Sequence, residues 1–252
     1  MSLRTIKEPT LIDPRTLLLF SLPKVGKTEA LSQLPNNLIW DFDNSAEYYK
    51  NLRVTFDTSS DEKFHQSFVK NYLEAKDDVA KNGKFTFCTI DTITSAYNRL
   101  ANIMAVKNFN KDEGKNRPLN FDIGKLSYGV GHTYKRDAIG LLIDEIGKLC
   151  EILIITGHIG DKSINKESNA IDVADIDLEG KLKNIIAYRI DTIGLFYRSS
   201  LNENSIKFTH NNSIAAGARA KHLSGQNIVI SELTETKELK TYWEKIFLTL
   251  TK

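Results

Sequence analysis

The sequence has few cysteines, little net charge and no long apolar run. Its two cysteines, Cys88 and Cys150, stand far apart within apolar stretches. That placement favours buried thiols in a reducing cytosol over a disulfide framework or a metal site, and no zinc spacing is present. The 34 basic and 32 acidic side chains leave a net charge of +2, so any contact with nucleic acid must come from a local patch.

The chain also lacks a candidate membrane segment, an internal repeat and a low-complexity tract. No apolar run approaches the roughly 20 residues that cross a bilayer, and residues 1–10 lack the apolar centre of a signal peptide. We therefore expect a soluble, cytoplasmic protein with no membrane partner. With 252 residues, 41% of them hydrophobic, the chain can bury one substantial core. We expect a single domain over residues 1–252, with its core at about 15–200.

Short apolar runs alternate with amphipathic stretches along most of the chain. The runs at residues 16–20, 38–40, 85–90 and 152–156 are typical of buried strands. Helices are expected over residues 27–34, 93–106 and 134–150, and between a capping box of Ser59 and Glu62 and the stop at Gly83. This alternation predicts an α/β fold with a mostly parallel sheet and helices on both faces.

The pattern changes in the last quarter of the chain. Residues 192–198 and 205–210, joined through residues 202–204, predict an antiparallel hairpin added to the sheet. The apolar residues that follow recur at helical spacing and predict a C-terminal helix packed on the core. These residues are Leu239, Tyr242, Trp243, Ile246, Phe247 and Leu250. The hairpin and helix together occupy about residues 201–252.

A phosphate-binding motif directly follows the first predicted strand. Residues 21–28 match G-x-x-x-x-G-K-[ST] except at the first position, where Ser21 replaces glycine and could distort the turn. In this motif Gly26 allows close approach, Lys27 reaches the β- and γ-phosphates of ATP, and the Thr28 hydroxyl binds Mg²⁺. The predicted nucleotide-binding residues are Ser21, Leu22, Pro23, Lys24, Val25, Gly26, Lys27, Thr28 and Glu29.

Aspartates end two of the predicted strands. Asp91 is in the Walker B position, where a carboxylate contributes to the Mg²⁺ site, although Asp91 or Thr92 could instead cap the next helix. Asp41 and Asp43 end the neighbouring strand, so one could orient the attacking water while the other caps or pairs nearby. We assign the water to Asp43.

Two further side chains are candidates for contact with the γ-phosphate. His158 follows the fourth strand and could report loss of this phosphate, or it could be a structural histidine. Arg219 could reach the γ-phosphate of a neighbouring subunit as an arginine finger, or it could lie on a solvated face. The predicted catalytic residues are Lys27, Asp43, Asp91, His158 and Arg219.

Over residues 17–223, these motifs resemble those of phage-encoded RecA-like nucleotide-binding ATPases, a family often found beside single-strand annealing and recombination genes. The resemblance is carried by residues 19–28, 38–43, 90–92, 127–131 and 154–158. It implies a RecA-type core, Mg²⁺-dependent ATP hydrolysis and a homo-oligomer. It also implies a role in phage recombination or replication on single-stranded DNA in the host cytoplasm, with an annealing or single-strand-binding protein as partner.

Other functions remain open at this point. An ATP-gated assembly module with little hydrolysis would fit Ser21 and Asp43, since Asp43 is one methylene shorter than the glutamate typical of the family. A P-loop kinase would need an arginine-rich lid, which is absent, and a GTPase would need an aspartate after Asn165-Lys166. Residues 114–131 lack periodicity and mix cations with aromatic side chains, so this loop could contact single-stranded DNA or a second subunit.

Overall fold

The computed structural model describes residues 11–160, 176–178, 182–209 and 216–251. The statements about residues 1–10, about Asn165-Lys166 in the comparison with GTPases, and about residue 210 at the end of the predicted hairpin concern residues outside this set. Within the described residues, ten strands form one sheet. The strands are β1 Thr16–Ser21, β2 Asn37–Asp41, β3 Leu52–Val54, β4 Phe85–Asp91, β5 Cys150–His158, β6 Thr192–Arg198, β7 Glu203–Lys207, β8 Gly217–Ala218, β9 Asn227–Leu233 and β10 Leu239–Thr241. Their order in the sheet is β10-β9-β7-β6-β1-β5-β4-β2-β3, and β8 pairs with β6.

The sheet has a parallel half and an antiparallel half. Strands β1 to β6 pair in parallel with their neighbours, whereas β7, β9 and β10 continue the sheet beyond β6 in antiparallel pairs. Because the parallel strands point the same way, their carboxyl ends meet at one edge of the sheet. The predicted mostly parallel sheet is confirmed, and the fold is that of a RecA-like P-loop protein.

Helices cover both faces of the sheet, as predicted. They are α1 Lys27–Leu31, α2 Asp61–Asn82, α3 Ile93–Ala96, α4 Asn102–Glu113, α5 Val130–Gly147 and α6 Leu182–Arg189. Successive residues of β1 point to opposite faces, so Leu18 packs with the helices after β3 while Leu17 and Leu19 pack with α1 and the C-terminal segment. The two hydrophobic clusters lie on opposite faces of the sheet, one under α2 to α6 and the other under α1 and the C-terminal segment.

Each of the four predicted helices has a boundary that differs from the structure. Helix α1 ends at Leu31 rather than at residue 34, and α5 spans Val130–Gly147 rather than residues 134–150. The helix at residues 93–106 is longer, because a π-helical stretch at Tyr97–Ala101 joins α3 to α4 and the helix ends only before Gly114, at φ 61°. The cap of α2 is Ser60, whose hydroxyl accepts the Lys63 amide at 3.2 Å, so the predicted capping box was misplaced by one residue. Ser59 instead bonds to Asp57.

The predicted C-terminal helix is wrong. Leu239–Thr241 forms β10, and two short 3₁₀ helices follow at Trp243–Lys245 and Leu248–Thr251. The apolar spacing reflects burial against the sheet and α1, because Trp243 and Phe247 lie in the same core cluster as Leu31. In the predicted hairpin, β7 begins at Glu203, so two of the three expected turn residues, Glu203 and Asn204, already belong to the strand. Among the described helices, none is both long and apolar enough to cross a membrane.

Candidate nucleotide-binding site

The phosphate-binding loop joins β1 to α1 at the carboxyl edge of the parallel strands. Ser21 is the last residue of β1 and pairs with His158, and its carbonyl accepts the Ile159 amide at 3.0 Å. The left-handed backbone positions of the loop are Lys24, at φ 62°, and Gly26, at φ 94°. Since Ser21 lies in regular strand geometry, the expected distortion of the turn by serine has no counterpart in the structure.

Gly26 is required for two reasons. Its positive φ is costly for a residue with a Cβ atom. In addition, an added Cβ would stand 3.2 Å from Nδ2 of Asn204, at the start of the antiparallel half. The phosphate-binding loop therefore packs against Asn204, which is distant in the sequence.

Lys27 is buried beneath the loop, and its ammonium donates a hydrogen bond to the Ser21 hydroxyl. Burial lowers the pKa of Lys27 because desolvation disfavours the charged form, and the nearby carboxylates of Asp91 and Asp43 partly oppose this shift. Phosphate groups placed beside this ammonium would favour its charged form. Lys27 is thus positioned to bind an anion inside the loop.

Asp91 lies at the centre of a cluster of hydroxyl groups. One of its oxygens accepts hydrogen bonds from Thr28 at 2.7 Å and from Ser45 at 3.2 Å, and the other accepts from Thr156 at 2.5 Å. The cap of α3 is Thr92, whose hydroxyl accepts the Ser95 amide, so Asp91 does not serve as the helix cap. Asp91 is buried and faces the loop, as the Walker B prediction requires.

This cluster has the chemistry of a nucleotide-associated magnesium site. Mg²⁺ in such sites takes one or two carboxylates, hydroxyl groups and waters, with the remaining ligands from phosphate. The oxygens of Thr28, Ser45 and Asp91 lie within 3.2 Å of one another and fit that donor set. The described residues contain no group of three or more His, Cys, Asp or Glu that could hold a metal without help from a substrate.

The two acids after β2 have different surroundings. Asp41 is fully buried and accepts the backbone amides of Ser45 at 3.0 Å and Ala46 at 2.9 Å. Its pKa is raised by burial, an effect that these amides oppose. Asp41 therefore anchors the turn after β2, whereas Asp43 extends beyond it towards Lys27.

Asp43 is held by polar groups from two other strand ends. It accepts a hydrogen bond from Thr92 at 3.1 Å, and its Oδ2 lies 3.7 Å from Nε2 of His158. Burial alone would raise the pKa of Asp43, but hydrogen bonds from His158, Ser95 and Thr92 outweigh it and hold this pKa below its ordinary value. Asp43 is consequently an ionised acceptor facing the loop. The other ring nitrogen of His158, Nδ1, is buried without a hydrogen-bond partner among the described residues.

These groups line one cavity of about 450 Å³. Of the predicted nucleotide-binding residues, Ser21, Leu22 and Pro23 do not line it. Of the predicted catalytic residues, the cavity brings together all except Arg219. The lining residues are Lys24, Val25, Gly26, Lys27, Thr28, Glu29, Asp43, Ser45, Tyr48, Tyr49, Asp91, Thr92, His158 and Arg198.

Arg219 lies at the opposite edge of the sheet. Its guanidinium pairs with Asp191 at 3.2 Å, next to the point where β8 meets the first residues of β6. The carboxyl end of β6, where the cavity is, lies about 20 Å away at a rise of about 3.3 Å per residue. Arg219 therefore cannot reach the loop of its own chain, and its predicted action on a neighbouring subunit stays a prediction.

Sequence reasoning missed several residues of this site. Ser45 and Arg198 were not singled out, although each had a signal: Ser45 follows shortly after a strand that ends in acid, and Arg198 ends a predicted strand. Thr92 was considered only as a cap, whereas it also bonds to Asp43. Tyr48 and Tyr49 line the outer part of the cavity and carry no local signal.

The parallel sheet, the loop and the Asp91 cluster together define a P-loop nucleotide-binding protein. A family model described as an AAA domain matches residues 13–220, which is most of the chain. The chain belongs to this AAA-domain family, whose members are P-loop ATPase-like proteins. No curated protein matches the chain.

Proposed function

We propose that this protein hydrolyses ATP in a Mg²⁺-dependent reaction and that single-stranded DNA stimulates the reaction. The observation that carries the proposal is the convergence of Lys27, the Thr28 and Asp91 pair, and Asp43 in one cavity at the carboxyl edge of the sheet. A site that only binds phosphate needs a cation such as Lys27, whereas hydrolysis also needs an acceptor that orients the attacking water.

Each group has a distinct part in the reaction. Lys27 exchanges its bond to Ser21 for the β- and γ-phosphates of ATP. Thr28 and Asp91, with Ser45 beside them, would hold Mg²⁺, which supplies charge neutralisation on the phosphate oxygens when bound. Asp43 accepts a hydrogen bond from the water that attacks the γ-phosphorus as the bond to the β-phosphate oxygen breaks, giving ADP and phosphate.

His158 links the acid to the γ-phosphate position in this proposal. Its Nε2 faces Asp43 at 3.7 Å, and the same side chain lines the cavity beside the loop. When the γ-phosphate leaves, the imidazole and Asp43 can close on each other again. His158 would thus report the state of the nucleotide to β5 and the segment after it.

The stimulation by DNA rests on the family resemblance and on one structural connection. The helix that begins beside Asp43, with Thr92 as its cap, continues to Glu113 and leads into the predicted loop, which spans residues 114–129 because α5 already begins at Val130. In that loop the guanidinium of Arg117 lies 5.0 Å from the ring centre of Phe121, and Tyr128 is fully exposed. Stacked cations and exposed aromatic rings suit the bases and phosphates of a single DNA strand.

We also propose, from the family resemblance, that the protein forms a homo-oligomer. In this proposal it acts in phage recombination in the host cytoplasm, beside an annealing or single-strand-binding protein.

The test is ATP hydrolysis with and without Mg²⁺ and single-stranded DNA, in the wild type and in Lys27→Ala. Lys81→Ala, at an exposed position near the end of α2, is the matched control for loss of a lysine. We expect hydrolysis that requires Mg²⁺, rises with DNA and disappears in Lys27→Ala alone. Tight ATP binding without turnover in the wild type would reject the proposal and favour the ATP-gated assembly module.

A further inference from the structure

One arginine of the chain's own fold lines the nucleotide cavity. Arg198 is the last residue of β6, and β6 pairs in parallel with β1, the strand that leads into the phosphate-binding loop. The carboxyl ends of adjacent parallel strands lie side by side, so the end of β6 comes to the edge where the loop begins. Arg198 lines the cavity together with Lys24, Gly26 and Lys27.

The register of the neighbouring strands places Arg198 next to Gly26. Arg198 is directly opposite Asn204 in the antiparallel pair of β6 and β7, and directly opposite residues share a face of the sheet. The Nδ2 atom of Asn204 lies against Gly26, 3.2 Å from the position of an added Cβ. Phe196, two residues before Arg198 and so on the same face, packs in the cluster that contains α1. Three observations therefore agree that Arg198 stands on the loop side of the sheet.

The guanidinium of Arg198 is uncommitted within the described part of the chain. No hydrogen bond or ion pair of its side chain is present there, and the residue is exposed. Other arginines are engaged: Arg189 pairs with Asp144 and Arg219 with Asp191. An unpaired guanidinium beside a phosphate-binding loop offers a planar fork of donors that matches phosphate oxygens.

We infer that Arg198 binds the phosphate chain of the nucleotide held by its own subunit. This inference rests on the proposed function, since it assigns a further ligand to the same nucleotide. Arg198 acts in cis, because β6 and the loop belong to one sheet, and it supplies a positive charge on the side of the loop opposite His158. The protein then has an arginine at the phosphates that does not depend on a neighbouring subunit.

Binding of Mg²⁺-tripolyphosphate and of Mg²⁺-ATP, measured by calorimetry on Arg198→Ala, tests the inference. We expect both dissociation constants to rise about 10- to 100-fold, since a charge-assisted hydrogen bond is lost. Arg198→Lys should recover only part of the loss, because lysine lacks the fork. Arg53→Ala, an exposed arginine on β3, is the control and should bind as the wild type does. Thermal unfolding checks that each variant is folded.

Two results would overturn the inference. Unchanged binding of tripolyphosphate by Arg198→Ala would do so, even if ATP binding weakened, because the contact would then be to the nucleoside. A loss of binding in Arg198→Ala that appears only at high protein concentration would place the arginine in trans.

Lys27→Ala, measured with the same ligands, separates the two proposals. If Lys27→Ala loses binding and Arg198→Ala does not, only the role of Arg198 fails, whereas a wild type that binds neither ligand removes the proposed function.

Discussion

The parallel and antiparallel halves of the sheet contribute to the site in different ways. The parallel half supplies the loop, Asp43, Asp91 and His158, all at carboxyl ends of strands. The antiparallel half and the C-terminal segment that follows it supply support: Asn204 lies against Gly26, and the indole of Trp243 donates a hydrogen bond to the Ala30 carbonyl of α1 at 2.8 Å. The parallel half therefore holds most groups of the candidate site, and the antiparallel half with the C-terminal segment holds the loop and its helix in place.

This division explains why a short helix can anchor the loop. Helix α1 contains five residues, too few to be stable by backbone hydrogen bonds alone. Its Ala30 and Leu31 are fully buried against the cluster that includes Trp243 and Phe247. The position of the loop is thus set by packing between residues more than 200 positions apart.

The largest expected effect comes from removing the contact between Trp243 and α1. We expect Trp243→Ala to lower the free energy of unfolding by about 3–5 kcal/mol, because a buried indole and its hydrogen bond to α1 are lost. Urea denaturation monitored by circular dichroism measures the change. Trp243→Phe keeps most of the packing and should cost much less. A loss below about 1 kcal/mol in Trp243→Ala would show that the C-terminal segment does not stabilise the core.

A second experiment sharpens the comparison within the parallel half, between Asp41 and Asp43. Asp43→Ala should lower kcat about 100-fold or more, since it removes the carboxylate that we propose as the acceptor for the attacking water, and should change stability little. Asp41→Ala should instead lower the free energy of unfolding by about 2–4 kcal/mol, because two backbone amides lose their acceptor. Steady-state hydrolysis and urea denaturation of both variants give the two readouts. The reverse pattern would show that the two acids had been assigned the wrong way round.

The smallest expected effect is a pH dependence of stability. The pKa of Asp43 in the folded protein lies below its ordinary value of 3.8, so its contribution to stability is present above that pH and is lost as the pH falls through the folded pKa. Asp43→Asn should therefore lose less stability than the wild type on acidification below about pH 4. Urea denaturation across this range measures the difference. Parallel curves for the two proteins would show that Asp43 is not held as an ionised group.

Local patterns predicted most of the parallel half. Continuous apolar runs marked β1, β2, β4 and β5, two of which end in an aspartate, and the spacing of Gly26, Lys27 and Thr28 marked the loop between strand and helix. Patterns failed after the antiparallel half, where Trp243, Ile246 and Phe247 are spaced as in a helix but lie in a 3₁₀ helix and the two residues that follow it. Burial on one side produces similar spacing in both conformations, so periodicity could not distinguish them.

By itself, the sequence determined the class of site, because a phosphate-binding loop needs only contiguous residues between a strand and a helix. The tertiary structure decided which groups complete it. Asp41 accepts hydrogen bonds from backbone amides, whereas Asp43 contacts Thr92 and His158. Arg198 lines the cavity from a strand that follows the loop by more than 160 residues in the sequence. These choices depend on strand order and register, which bring distant side chains to one edge of the sheet and which no local pattern encodes.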